Sequence, residues 1–291
     1  MKSLLLFVAL SAVAATTSTG DSTFGTVAAP QRIGDVNYTN GQFAGFVPGS
    51  AGAALRNSIE ALLAGKTNTI TQWAYGDTFS RNPRCWCGKL DFSGFVTPTS
   101  PSEQERCMVL VTPRHAITCA HAFGDNSGKR VIFVQTNGSL FTNWVASATC
   151  QPGEDICLVT LSNPCPASVT PFPVMPPNWT NKISTPTRIP VIWYRCNSRK
   201  MNCEKVSSVS GTQITCNGDY GSPFYEPGAT GGDSGGPCFM VLNGKLIFIM
   251  SLHWGSVAGP FISQPDNFNW VSAQVAPYKL TTVDLSGYPD F

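Results

Sequence analysis

Ser234 stands in the stretch "GATGGDSGGPCF" (residues 228–239), surrounded by glycines and followed by a proline and apolar residues. A serine hydroxyl is a weak nucleophile at neutral pH. It becomes useful when a histidine takes its proton and a carboxylate fixes the tautomer of that histidine. The bland reading is a tight glycine turn. The chain has three histidines, His115, His121 and His253, so a partner can be sought by elimination.

The same letters satisfy G-x-S-x-G, the nucleophile turn of α/β-hydrolases, which needs the chain order Ser, acid, His. His253 is the only histidine after Ser234, no Asp or Glu lies between them, and too little chain remains for the rest of that fold. The opposite order is open. His115 follows the turn-like Thr112-Pro113-Arg114 and is expected to face solvent. His121 ends the apolar run "AITCA" and precedes the loop "FGDNSG", a strand-end position that suits a base. Its bland alternative is a core histidine bonded to a backbone carbonyl. The acids between His121 and Ser234 are Asp125, Glu154, Asp155, Glu204, Asp219, Glu226 and Asp233. Asp155 alone leads straight into a buried-looking strand, "ICLVTL", where a carboxylate is costly unless paired. Asp125, in a Gly/Asn-rich loop, is the alternative.

Short β-rich runs must position these groups. "MVLVTP" (108–113), "HAITCA" (115–120), "RVIFVQT" (130–136) and "ICLVTL" (156–161) read as strands. A proline-rich stretch over 163–190 then reads as a linker, because proline cannot donate to a sheet. Strands resume with "PVIWYRC" (190–196), "TQITC" (212–216), "CFMVL" (238–242) and "KLIFIMSLHW" (245–254). Asn243-Gly244 between the last two is a strong hairpin signal. No internal repeat is visible. The expected plan is an N-terminal signal over 1–15, an extension or propeptide over 16–80 with one amphipathic helical stretch (51–65), a first β domain over 81–165, the linker over 166–190, and a second β domain with a tail over 191–291.

The first residues, "MKSLLLFVALSAVA", pair a lysine with an apolar stretch too short to span a bilayer, and Ala12-Val13-Ala14 offers a small-x-small cleavage site. Eleven cysteines behind such a signal point to disulfides and secretion, with at least one thiol left over. Cys119, Cys157 and Cys238 lie near the three candidate residues in apolar runs and read as core, two of them able to pair. Sequons occur at Asn37, Asn137 and Asn178. Net charge is +2 and only 12% of residues are charged, which excludes a strong field for nucleic acid or anionic membrane. No cofactor or metal set is evident, and "CWC" (Cys85, Cys87) lacks zinc-type spacing.

The motifs together resemble those of chymotrypsin-like serine proteases. "AITCAH" resembles the T-A-A-H motif, "EDICLVTL" the D-I-A-L strand and "TGGDSGGP" the nucleophile motif, and "LNGKLIFIMSLHWGS" is similar to the hairpin that follows it, over about Cys85 to Trp270. The resemblance implies an all-β fold of two six-stranded antiparallel β-barrels with a cleft between them. It implies a serine endopeptidase with His121, Asp155 and Ser234 as triad and the N–H groups of Gly232 and Ser234 as oxyanion hole, acting on protein or peptide substrates. Ala122, Thr230 and Gly231 stand where the family often has cysteine nearby, so the disulfide plan is the chain's own. In trypsin-like members a new N-terminal amine pairs with the residue matching Asp233. No Arg-Ile-Val-Gly-Gly lies near residue 80, which leaves Arg81 or Arg84 as cleavage points. Gly228 occupies the position of the acidic pocket residue, which disfavours cleavage after Lys or Arg. His253, with Thr230 and Gly255, resembles the pocket of some glutamyl endopeptidases and viral proteases, implying Glu or Gln before the cut; the alternative is an apolar pocket. The alternative function is an inactive homologue that only binds partners.

Overall fold

The computed structural model describes residues 66–74, 78–97, 107–123, 126–183, 189–196, 198–217, 228–242, 245–253 and 257–286. The signal segment, the helical stretch over 51–65, Asp125, Asn243-Gly244 and Gly255 lie outside the described residues.

The all-β reading holds. Six strands, β3 (Phe95–Thr97), β4 (Met108–Thr112), β5 (His115–Thr118), β6 (Arg130–Val134), β7 (Leu140–Cys150) and β8 (Cys157–Leu161), close into an antiparallel barrel in the order β3-β4-β5-β8-β7-β6. Closure leaves no unpaired edge in this layer. Strand β4 is buried at all its positions because it has two apolar neighbours. Met108 and Leu110 join the barrel interior with Val131, Phe133 and Val159, while Val109 and Val111 join a second cluster with Phe172, Tyr194, Phe239 and Phe248. That is why β4 reads as a continuous apolar run rather than an alternation.

The second sheet comprises β9 (Pro190–Arg195), β10 (Lys200–Ser210), β11 (Gln213–Cys216), β12 (Pro237–Leu242), β13 (Lys245–Ser251) and β14 (Val257–Pro260), in the order β13-β12-β9-β10-β11-β14. It curls into a half-barrel rather than a fully laddered one. Its two ends meet through a bridge between Met250 and Phe261, and through His253 N–H donating to Ala258 O at 2.8 Å. A Cβ on Gly259 would lie 2.0 Å from Ser251 O, so only glycine lets the ends approach. Numbered within each sheet, both follow one cyclic order, 1-2-3-6-5-4. The double-barrel arrangement is consistent with the chymotrypsin-like fold.

The proline-rich stretch is more than a tether. Phe172, Val174, Met175 and Trp179 are buried. Phe172 N–H donates to Leu110 O at 2.8 Å in the first barrel, and Pro173 O accepts from Phe248 N–H at 2.9 Å in the second sheet. The chain before it is equally engaged. A hairpin of β1 (Thr71–Ala74) and β2 (Thr78–Arg81) leads to Arg81, whose Nη2 donates to Phe92 O and Val134 O at 2.7 and 2.9 Å. Asn68 O accepts from Met201 N–H at 2.7 Å on β10. A single described α-helix, α1 (Pro265–Gln274), begins with Gln264 capping Asn267 N–H at 2.9 Å and a proline in its first turn.

His115 departs from the sequence expectation. It is 6% exposed, with Nδ1 2.8 Å from Thr112 Oγ1 and its ring edge-on to Tyr278. The C-terminal segment covers the turn that would otherwise have opened it to solvent.

Candidate active site

Two strand pairs carry the site. In the first barrel β5 pairs with β8 so that Thr118 faces Cys157. His121 lies three residues beyond Thr118 and Asp155 two residues before Cys157, so the register brings them to the same end. In the second sheet Pro237 pairs with Ser251, which puts Ser234, just before β12, beside His253, just after β13. The ladder runs on past the strands: Gly235 N–H donates to Leu252 O at 2.9 Å and Leu252 N–H to Gly236 O at 2.8 Å.

The predicted base, acid and serine come together. Ser234 Oγ is 2.8 Å from His121 Nε2, and His121 Nδ1 is 2.7 Å from Asp155 Oδ2. A carboxylate only accepts, so Nδ1 carries the proton and Nε2 is left to accept from the serine hydroxyl. His121 backbone N–H also donates to Asp155 Oδ1 at 2.8 Å, locking carboxylate and histidine as a unit. The His121 side chain is 43% exposed and that of Asp155 10%, so the base reaches solvent while its partner sits behind it.

Asp155 is braced from its own loop. Cys150, ending β7, and Cys157, starting β8, form a disulfide across the segment that presents it. Gln151 N–H donates to Ile156 O at 2.8 Å, and Gln151 Nε2 donates to Asn267 Oδ1 of α1 at 2.9 Å. A second disulfide, Cys107–Cys196, joins the entry of β4 to the end of β9 and so ties the two sheets. Of the three cysteines near the candidate residues all are buried, and Cys157 pairs with Cys150 rather than with Cys119 or Cys238. Burial pushes the Cys119 thiol up to about 12, so it stays protonated beneath the site.

Ser234 sits in a turn set by glycines. Gly232 and Gly235 have φ of 88° and 78°, where residues with a Cβ are strained. A Cβ on Gly235 would lie 2.7 Å from Thr118 Oγ1 and 3.0 Å from Cys107 O, so the turn is pressed against the first barrel. Among the described residues neither Gly232 N–H nor Ser234 N–H donates to a protein acceptor. Asp233 is fully buried, and its Oδ2 accepts from Arg195 Nε at 3.1 Å, Thr230 N–H at 2.8 Å and Thr230 Oγ1 at 3.0 Å. Arg195 of β9 is thus a cation within the chain that pairs with this carboxylate. Sequence reading missed Arg195; a lone charge ending the apolar strand "PVIWYR" was the available signal.

A cleft of about 390 Å³ opens beside Ser234, lined by His121, Ala229, Thr230, Gly231, Leu252 and His253. Of the predicted pocket residues, Thr230 and His253 line it. Gly228 does not: it is held by Arg195 Nη2, which donates to its carbonyl at 3.1 Å. Ala229, Gly231 and Leu252 were not foreseen. Among the described lining residues there is no carboxylate. His253 holds a surprise, because its Nδ1 hydrogen-bonds the same Asp155 Oδ2 that His121 uses. No protein-family model matches this chain, and no curated protein does.

Proposed function

We propose that this protein is a secreted serine endopeptidase that hydrolyses peptide bonds through an acyl-enzyme. The unbroken relay from Ser234 Oγ to His121 to Asp155 carries this reading, at 2.8 and 2.7 Å. Ser234 Oγ attacks the scissile carbonyl while His121 Nε2 takes its proton. The imidazolium so formed is stabilised by Asp155 and hands the proton to the leaving amine. Water then repeats the steps and frees the acid. The N–H groups of Gly232 and Ser234 serve the oxyanion; a single such donor contributes about 2.7–4 kcal/mol to barrier lowering in a comparable protease.

The cleft lies within the size range of ligand-binding pockets. Its described lining, small and apolar residues with Thr230 and His253 as polar groups, suits Glu, Gln or an apolar side chain before the cut. Two disulfides fit an oxidising compartment, and no helix among the described residues is long and apolar enough to cross a membrane. Because Asp233 already has Arg195, the nucleophile turn in our reading forms without a new N-terminal amine.

A fluorophosphonate probe tests the reading. Labelling of wild type at Ser234, loss of labelling in Ser234→Ala, and peptide cleavage lost in the same variant are expected. Cleavage by Ser234→Ala at the wild-type rate would sink the mechanism. A peptide library cut equally after Glu, Leu and Arg would sink the pocket assignment.

A further inference from the structure

We propose that Cys216 and Cys238 form a further disulfide, a staple across the interior of the second half-barrel that fixes both ends of the segment carrying Ser234. Cys216 ends β11 and Cys238 lies in β12. These strands are not neighbours in the sheet, because β9 and β10 lie between them. The curl of the sheet nevertheless brings the two residues together. Both are buried, in one cluster with Trp193, Met240 and Ile249, and the Cys216 thiol is in hydrogen-bond contact with that of Cys238. Each backbone is held independently. Cys216 pairs with Val257 of β14, and Cys238 with Trp193 of β9 and Met250 of β13. The structure holds both residues as thiols. Among the described residues Cys85 and Cys87 are another close pair, with sulfurs 3.7 Å apart, but a bond there would enclose only Trp86.

A bond from Cys216 to Cys238 encloses residues 217–237. That segment holds Ser234, Gly232 and the cleft lining Ala229, Thr230 and Gly231. Cross-linking its ends restricts the unfolded chain and keeps β11 and β12 at one separation, where the half-barrel lacks a complete ladder. The chemistry is exchange with a low-molecular-weight disulfide. One thiolate attacks that reagent and displaces a thiol. The second thiolate then attacks the mixed disulfide and displaces the other thiol. Two S–H bonds are lost, one S–S bond forms, and the two electrons leave with the reagent thiols. Only a thiolate attacks. In the folded chain burial, followed by Cys238 and Glu204, pushes the Cys216 thiol well above its ordinary value. The bond therefore forms before the half-barrel closes and is shielded afterwards.

Mass spectrometry of the full chain, expressed with its disulfides and unfolded in iodoacetamide, reads the bond directly. Trypsin cuts after Lys205 and Lys245 and releases residues 206–245, whose only cysteines are Cys216 and Cys238. Without reduction that fragment is expected to carry no alkyl group and to weigh two hydrogens less than the dithiol; after reduction it should take up two alkyl groups. Alkylation at both cysteines without reduction would overturn the proposal, and so would a fragment joined to any other peptide. Cys216→Ala and Cys238→Ala are each expected to melt about 5–15 °C below wild type. In the double variant the losses should not add, because either substitution alone removes the bond; additive losses mark two independent thiols and count against it. Fluorophosphonate labelling of Ser234 should be about tenfold slower in the double variant, since a loosened segment misplaces the serine. Labelling at the wild-type rate would remove the bond's hold on the site. The bond itself stands apart from the serine-protease reading, and only its effect on labelling rests on it. If folded wild type does not label, that reading falls while the mass of the fragment still decides the bond.

Discussion

Arg195 and Asp233 form the most consequential pair outside the relay. The Asp233 carboxylate is fully buried and the Arg195 guanidinium nearly so, at 0% and 14% exposure. A buried charge stripped of its partner destabilises by about 3–5 kcal/mol. Arg195→Gln is therefore expected to lower unfolding free energy by that order in urea titration, and to slow fluorophosphonate labelling because Thr230, Asp233 and Gly228 lose a common anchor. A variant with wild-type stability and labelling would show that the turn holds itself. At this scale the meeting of Ser234, His121 and Asp155 was legible beforehand: G-D-S-G-G-P, an elimination among three histidines, and one acid leading into an apolar strand. Arg195 and the bond from His253 to Asp155 were not, because nothing local announces a partner 38 or 98 residues away.

Among the elements, β10 carries an unusual load. Glu204 lies within it, 1% exposed, near Trp193 and Arg195, and burial pushes its carboxyl up to about 8. The unfolded chain releases that proton near pH 4.5, whereas the folded chain keeps it to about pH 8. Between those values the folded state binds more protons, so stability falls as pH rises and levels off above about pH 8. Glu204→Gln should remove this slope. Its thermal midpoint should exceed that of wild type at pH 8 by more than at pH 5, with a gain on the order of a few kcal/mol. A pH-independent difference would refute the assignment. Strands β4, β5, β6, β8 and β9 were readable because their apolar runs are contiguous. Strands β7 and β10 were not, since β7 exposes apolar Leu140 and Trp144 while burying Asn143, against any simple alternation, and β10 mixes Lys, Asn, Glu and Ser into its run.

For the whole molecule the Cys107–Cys196 disulfide is the covalent link between the sheets, spanning 89 residues. Closing a loop of that length restricts the unfolded chain, and native disulfides typically contribute about 2–5 kcal/mol. The double variant Cys107→Ala/Cys196→Ala is expected to melt lower by that order, with labelling at Ser234 reduced, since Cys196 follows Arg195 and the Cys107 carbonyl touches the nucleophile turn. A double variant as stable as wild type would remove the disulfide from this account. The shared strand order of the two sheets also exists only at this scale. No repeat is visible in the residues because the two halves match in connectivity, while their strands and side chains differ.

Residue order and local pattern were enough to point to an all-β chain, a proline-rich passage between two halves, and the three residues, Ser234, His121 and Asp155, that the fold brings together. Those features are written in contiguous residues, where strand periodicity, turn chemistry and motif spacing act. The tertiary structure decided the rest: that one sheet closes and the other curls against itself at Gly259, that Cys150 pairs with Cys157, that Arg195 pairs with Asp233, and that His253 shares the carboxylate of His121. Each of these is a contact or closure set by how the strands pair and curl, and that geometry exists only once the chain has folded.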